Sequence, residues 1–218
     1  MEHDYICDTA EKLKVSGDKF DTFDLWMYKA IGDGNCFFHS LLMGFIKTYR
    51  RRQSNDGKSI CRRKFAKDLR NELAERLAKP SDPSDPTSPI LYDVLARGEL
   101  PNISKSLPEY SLSRMQEHLR TSNAVGNEVV ELTARVLNVN IYLIDVEKSD
   151  LYKLGDSDYI YRDDRPSSVV LLYKNGHFDL CGLGIKIEGE DGKFRTKIIS
   201  HFKNSHPFIV HLKVLSTK

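Results

Sequence analysis

The chain has 218 residues, room for one sizeable core but not for two ordinary domains. Hydrophobic residues make up 40% and charged residues 29%, and the net charge of +2 argues against a nucleic-acid or membrane-surface role. No apolar run reaches the roughly 20 residues of a membrane helix, and residues 1–10 have no basic head before an apolar stretch, so no secretory signal is expected there. Cysteines stand at 7, 36, 61 and 181 with no zinc-like spacing, so neither a metal nor another cofactor is expected. Reduced thiols in such a chain fit a cytoplasmic setting, either the chain's own or that of an invaded host cell.

Residues 1–27 read as an approach segment of mixed polarity, ending among the aromatics Phe20, Phe23, Trp26 and Tyr28. The stretch Ile31 to Asn35 is turn material. A helical pattern then starts at Cys36, with Phe37, Leu41 and Phe45 on one face and Asn35 as N-cap. A second helix is expected from about Ser59 to Ala78, with Phe65, Leu69, Leu73 and Leu77 in register, and Pro80 stops it. Four prolines between Pro80 and Pro89 predict an extended, solvated linker or flap. Short helices follow at 90–97 and 111–121, then a helix from Asn127 to Leu137 and a strand from Asn140 to Asp145. Val169 to Tyr173 reads as a buried strand. The Asn175-Gly176 turn joins it to a return strand carrying His177, Phe178, Asp179, Leu180 and Cys181. Phe208, Val210, Leu212 and Val214 alternate, which predicts a late strand. Helices first and a small antiparallel sheet afterwards make an α+β domain.

A thiol nucleophile needs help to ionise, because a free cysteine is mostly protonated at neutral pH. Cys36 stands at the start of a helix, where the dipole favours a thiolate. The turn Asp33-Gly34-Asn35 ahead of it presents consecutive backbone N–H groups suited to an oxyanion hole. Of the seven histidines, His177 is the best base, because it directly follows a hairpin turn and so sits at a strand end. Asp179, two residues on, shares its face and is placed to fix the imidazole tautomer.

These residues carry a family resemblance. Asp33-Gly34-Asn35-Cys36-Phe37-Phe38-His39-Ser40, with Asn175-Gly176-His177-Phe178-Asp179 far downstream, resembles the ovarian-tumour (OTU) family of deubiquitinases. The middle of the chain is similar too, from Asn123 to Leu132 and from Leu137 to Ile144. The resemblance implies a papain-like α+β fold and a thiol protease that cuts the isopeptide bond after the C-terminal glycine of ubiquitin. It implies Cys36 as nucleophile, His177 as base and Asp179 as orienter. Asp33 would shape an oxyanion loop drawn from Asp33, Gly34, Asn35 and Cys36. The partner expected is ubiquitin or polyubiquitin, bound by a monomer. The implied layout is a catalytic domain over 28–183, with a C-terminal β-rich extension over 184–218 packed on it.

Other readings stand beside this one. An OTU-like viral polyprotein protease is one, and a catalytically idle ubiquitin-binding module is another. An RNA-binding accessory factor would use Arg50-Arg51-Arg52 and Arg62-Arg63-Lys64, although such runs more often complement a helix C-terminus and stay solvated. His39 shares a helix face with Cys36 and reads as structural, while Cys61 and Cys181 read as packed thiols.

Overall fold

The computed structural model describes residues 10–15, 18–51, 56–97, 111–121, 125–152, 161–189 and 193–217. Cys7, Arg52, Asn123 and Ala124, which the sequence reading used, lie outside them.

Two short strands, β1 (Ala10–Lys12) and β2 (Leu25–Tyr28), come first. Helices α1 (Cys36–Phe45), α2 (Lys47–Arg51), α3 (Arg62–Leu77), α4 (Leu91–Arg97), α5 (Leu112–Arg120) and α6 (Asn127–Val136) follow. The second half supplies β3 (Asn140–Asp145), β4 (Asp150–Leu151), β5 (Ser167–Lys174), β6 (His177–Glu188), β7 (Phe194–Ile199), β8 (His201–Lys203) and a last helix, α7 (Pro207–Ser216). All eight strands form one sheet in the order β1-β2-β6-β5-β3-β4, with β7 on β6 and β8 on β5. The α+β class stands, but the sheet is larger than the sequence predicts, and β3 and β5 pair in parallel. The parallel pair arises because β4 returns antiparallel to β3, after which the chain comes back to lay β5 on its other side.

Alternation along the strands separates two cores. Ile141, Leu143, Val169, Leu171, Phe178 and Leu180 face a cluster built from Phe37, Leu41, Leu73, Leu77, Leu119 and Leu132 of the helices. Tyr142, Ile144, Val170, Leu172, Cys181 and Leu183 face the opposite way, onto Phe20, Phe208, Ile209 and Leu212. The late strand predicted for residues 208–214 is therefore a helix. Phe208 and Leu212 fit either period, being two alternations or one helical turn apart. Val210 and Val214, 48% and 50% exposed, fall on the solvent side of the helix. Pro207 at the first turn, capped by the His206 side chain accepting from Phe208 N–H, starts that helix.

Two further expectations change. On α3 the buried face is Ala66, Arg70, Leu73, Ala74 and Leu77, while Phe65 is 38% exposed. The proline-rich stretch is not an extended linker. Ser81 N–H donates to Pro89 O and Leu91 N–H to Lys79 O, and Asp82 and Asp85 close internal turns, so the segment folds into an exposed closed loop.

Leu212→Ala should lower the unfolding free energy by about 2–5 kcal/mol, and Val210→Ala should change it by less than about 0.5 kcal/mol, as measured by chemical denaturation. Burial also pushes the Cys181 thiol up to about 12. At pH values between an unfolded thiol's pKa of about 8.5 and that raised value, the unfolded chain binds fewer protons than the folded one. Stability should therefore fall as pH rises through this window, and less steeply in Cys181→Ala.

Candidate active site

Helix α1 begins where a tight turn delivers it. Gly34 has φ 78, a conformation open to glycine at no steric cost, and Asn35 leaves the helical region at the cap. The sulfur of Cys36 thus sits at the first helical residue, and α1 packs along β6. Phe37 meets Phe178 edge to face with ring centres 5.4 Å apart, and Ser40 Oγ donates to Phe178 O at 3.0 Å. At the start of β6, Asn175 (φ 49) and Gly176 (φ 76) make a two-residue hairpin whose positive angles suit the sheet twist.

The two ends converge on a cleft of about 290 Å³ lined by Gly32, Gly34, Cys36, Phe37, Val125, Asn175, Gly176, His177 and Phe178. Cys36 and His177 therefore face one space. His177 Nε2 lies 3.2 Å from Asp179 Oδ1, the same oxygen that accepts the Ala30 backbone N–H at 2.7 Å. The carboxylate is thereby tied to the end of β2. A carboxylate can only accept, so the imidazole proton stays on Nε2, and Nδ1 keeps the lone pair needed to take a proton.

The Cys36 thiol differs from the expectation of a ready-made thiolate. Burial pushes it above the ordinary thiol value, and the nearby Asp179 charge acts in the same direction. The backbone N–H groups of Phe178, Phe37 and Cys36 itself point the other way and offset this only in part. The upward shift favours the protonated thiol at Cys36.

Asp33 faces away from the cleft. Its Oδ1 accepts from Asn35 N–H at 3.1 Å and pairs with His39 Nε2 at 3.0 Å, and its Oδ2 accepts from Arg63 Nε at 3.1 Å. Burial raises its pKa, but the His39 ring, the Asn35 N–H and the Arg63 guanidinium prevail and hold it below the ordinary carboxylate value. Asp33 thus braces the turn. The Asn35 N–H is engaged by the Asp33 carboxylate within the turn. His39, 1% exposed, spends its other nitrogen on the Tyr49 hydroxyl.

Sequence reading missed Arg70, Tyr49 and Ser40. A signal existed for Arg70, since Ala66 and Ala74 stand one turn either side of it and leave room for a buried arginine. The basic run beginning at Arg62 opens helix α3 rather than closing a helix. Arg62 donates to Tyr49 O and Arg50 O at 2.9 Å each and lies over the Tyr49 ring. Cys61, read as packed, is exposed, whereas Cys181 is buried.

No protein-family model matches the sequence, and no curated protein matches it. Solved structures do. An ovarian-tumour domain determined in complex with ubiquitin superimposes with a TM-score of 0.51 at 12% identity, covering 97% of this chain and 91% of its own. The chain has the OTU fold. The OTU of Hazara virus bound to ubiquitin matches at 18% identity and TM-score 0.39, covering 84% of this chain and 94% of its own. The viral OTU domain protease of Qalyub virus matches at 14% and 0.40, covering 83% and 97%.

Because burial raises the Cys36 thiol, its alkylation by iodoacetamide should still accelerate above pH 8.5, as followed by peptide mapping. A rate already level near neutrality would mean a preformed thiolate.

Proposed function

We propose that this protein is a thiol-dependent isopeptidase that removes ubiquitin, hydrolysing the bond after its C-terminal glycine through a thioester. The observation that carries the reading is the shared cleft, with Cys36 at a helix start and His177 held by Asp179 across from it. The OTU fold supports it, as does the placement of Cys36 at the first residue of α1.

Each step has a residue. On substrate binding, Nδ1 of His177 takes the Cys36 proton, and the sulfur attacks the glycine carbonyl carbon. Water leaves the cleft as the substrate enters, and Asp179 favours the imidazolium that forms. Charge developing on the carbonyl oxygen is met by the N–H groups of Gly34 and Cys36. As the tetrahedral adduct collapses, the carbon–nitrogen bond breaks and His177 gives its proton to the departing lysine amine. A water then enters, loses a proton to His177 and attacks the thioester, which releases a ubiquitin carboxylate and restores the thiol. Gly32 and Gly34 line the approach, where side chains would narrow the passage for a slender C-terminal tail.

Incubation with ubiquitin bearing a thiol-reactive C-terminus should capture the native chain covalently and leave Cys36→Ala free. Binding without capture would instead identify an idle module that keeps the fold, and absence of any interaction would remove ubiquitin as the substrate. In a hydrolysis assay His177→Ala should lose at least about 10³-fold in kcat, and Asp179→Ala should lose less, because Asp179 only orients the base. Equal or reversed losses would overturn those two roles.

A further inference from the structure

We propose that Arg70 is a positioning residue for the oxyanion hole, acting through the Asn35 side chain on the peptide between Asp33 and Gly34. The proposal rests on the hydrolase reading and deepens it.

Arg70 belongs to α3, not to the cleft, and is 2% exposed. Burying a guanidinium is costly unless its donors are satisfied in good geometry. Among its partners in the described residues, the planar fork meets three acceptors. Nη1 donates to Asn35 Oδ1 at 3.1 Å, Nε to Leu119 O at 2.6 Å and Nη2 to His118 O at 3.0 Å. Its face lies over the Phe38 ring at 4.9 Å. Lysine, with a single ammonium point, cannot reproduce this fork.

The consequence for the turn follows from donor and acceptor identity. An arginine only donates, so the Asn35 atom facing it must be the oxygen, and the amide cannot flip. That sends Asn35 Nδ2 to the carbonyl oxygen of Asp33, a long contact of 3.4 Å. In a trans peptide the carbonyl and the following N–H point in opposite directions. With the Asp33 carbonyl drawn toward Asn35, the Gly34 N–H is turned the opposite way, and Gly34 itself lines the cleft. A glycine at φ 78 offers little resistance to rotation of the peptide before it. The Asp33 carboxylate pins the Asn35 N–H on the far side of the turn but does not touch this carbonyl. Arg70, through Asn35, is therefore what aims the donor.

The test uses the full chain and hydrolysis of a ubiquitin C-terminal fluorogenic amide, with thermal melting alongside. Arg70→Lys keeps the charge but loses the fork. Asn35→Asp keeps a partner for Arg70 but replaces the donor to the Asp33 carbonyl with an acceptor. Both should melt as folded proteins and lose about 10–100-fold in kcat, with KM within about two-fold of native. The double variant should be no slower than the slower single one, because both act on one peptide. Asn35→Asp is the decisive variant. A contact that merely tied α3 to α1 would survive in it, and native kcat there overturns the proposal. Native kcat in folded Arg70→Lys, or a change confined to KM, overturns it too. If the native chain hydrolyses nothing, the hydrolase reading falls and takes this proposal with it, whereas native turnover with indifferent variants removes the clamp alone.

Discussion

Helix α1 lies against strand β6, and the cleft exists because of that packing. The two elements come from opposite ends of the chain, so nothing local holds the sulfur near the imidazole. What holds them is a buried seam, made by Phe37 on Phe178, Ser40 on the Phe178 carbonyl and Gly44 in close approach to Leu180 and Val169. A Cβ added at Gly44 would stand 3.4 Å from both side chains, in direct van der Waals contact with the sheet. The second core, on the far side of the sheet, stiffens β5 and β6 from behind.

Around this seam, polar groups are arranged in support rather than attack. The carboxylate of Asp33 gathers an imidazole, a guanidinium and a backbone N–H, and none of them enters the cleft. The carboxylate of Asp179 ties the His177 ring to the end of β2. Two acidic residues thus do related jobs, Asp33 fixing the turn before Cys36 and Asp179 holding the ring of His177. Each is held in part by contacts from distant parts of the chain, Asp33 by Arg63 and Asp179 by the Ala30 N–H.

Much of this could be read from residues alone, where the signal was local. The cysteine turn, the Asn-Gly hairpin and the strands around residues 140 and 170 are short-range patterns with definite backbone chemistry. The tail misled because Phe208 and Leu212 satisfy both periods, and only the second core decides between them. The Phe65 register misled because apolarity was taken for burial, whereas the inward positions of α3 include an arginine flanked by alanines. Tertiary effects were beyond reach. The upward push on the Cys36 thiol comes from surrounding packing, and the engagement of the Asn35 N–H comes from a side chain two residues back. No periodicity encodes either.

The turn at Asn175 and Gly176 has a consequence for how this chain can change over time. Two residues leave no slack, so the pleat of β6 is counted off directly from β5. Sliding the strand by one position would exchange odd for even, carrying the imidazole to the face packed beneath α1 and the Phe178 ring to the opposite face. An insertion or deletion of a single codon there is therefore not a small change in a surface loop. Substitutions at the bend leave the count intact, while a change in its length inverts the strand.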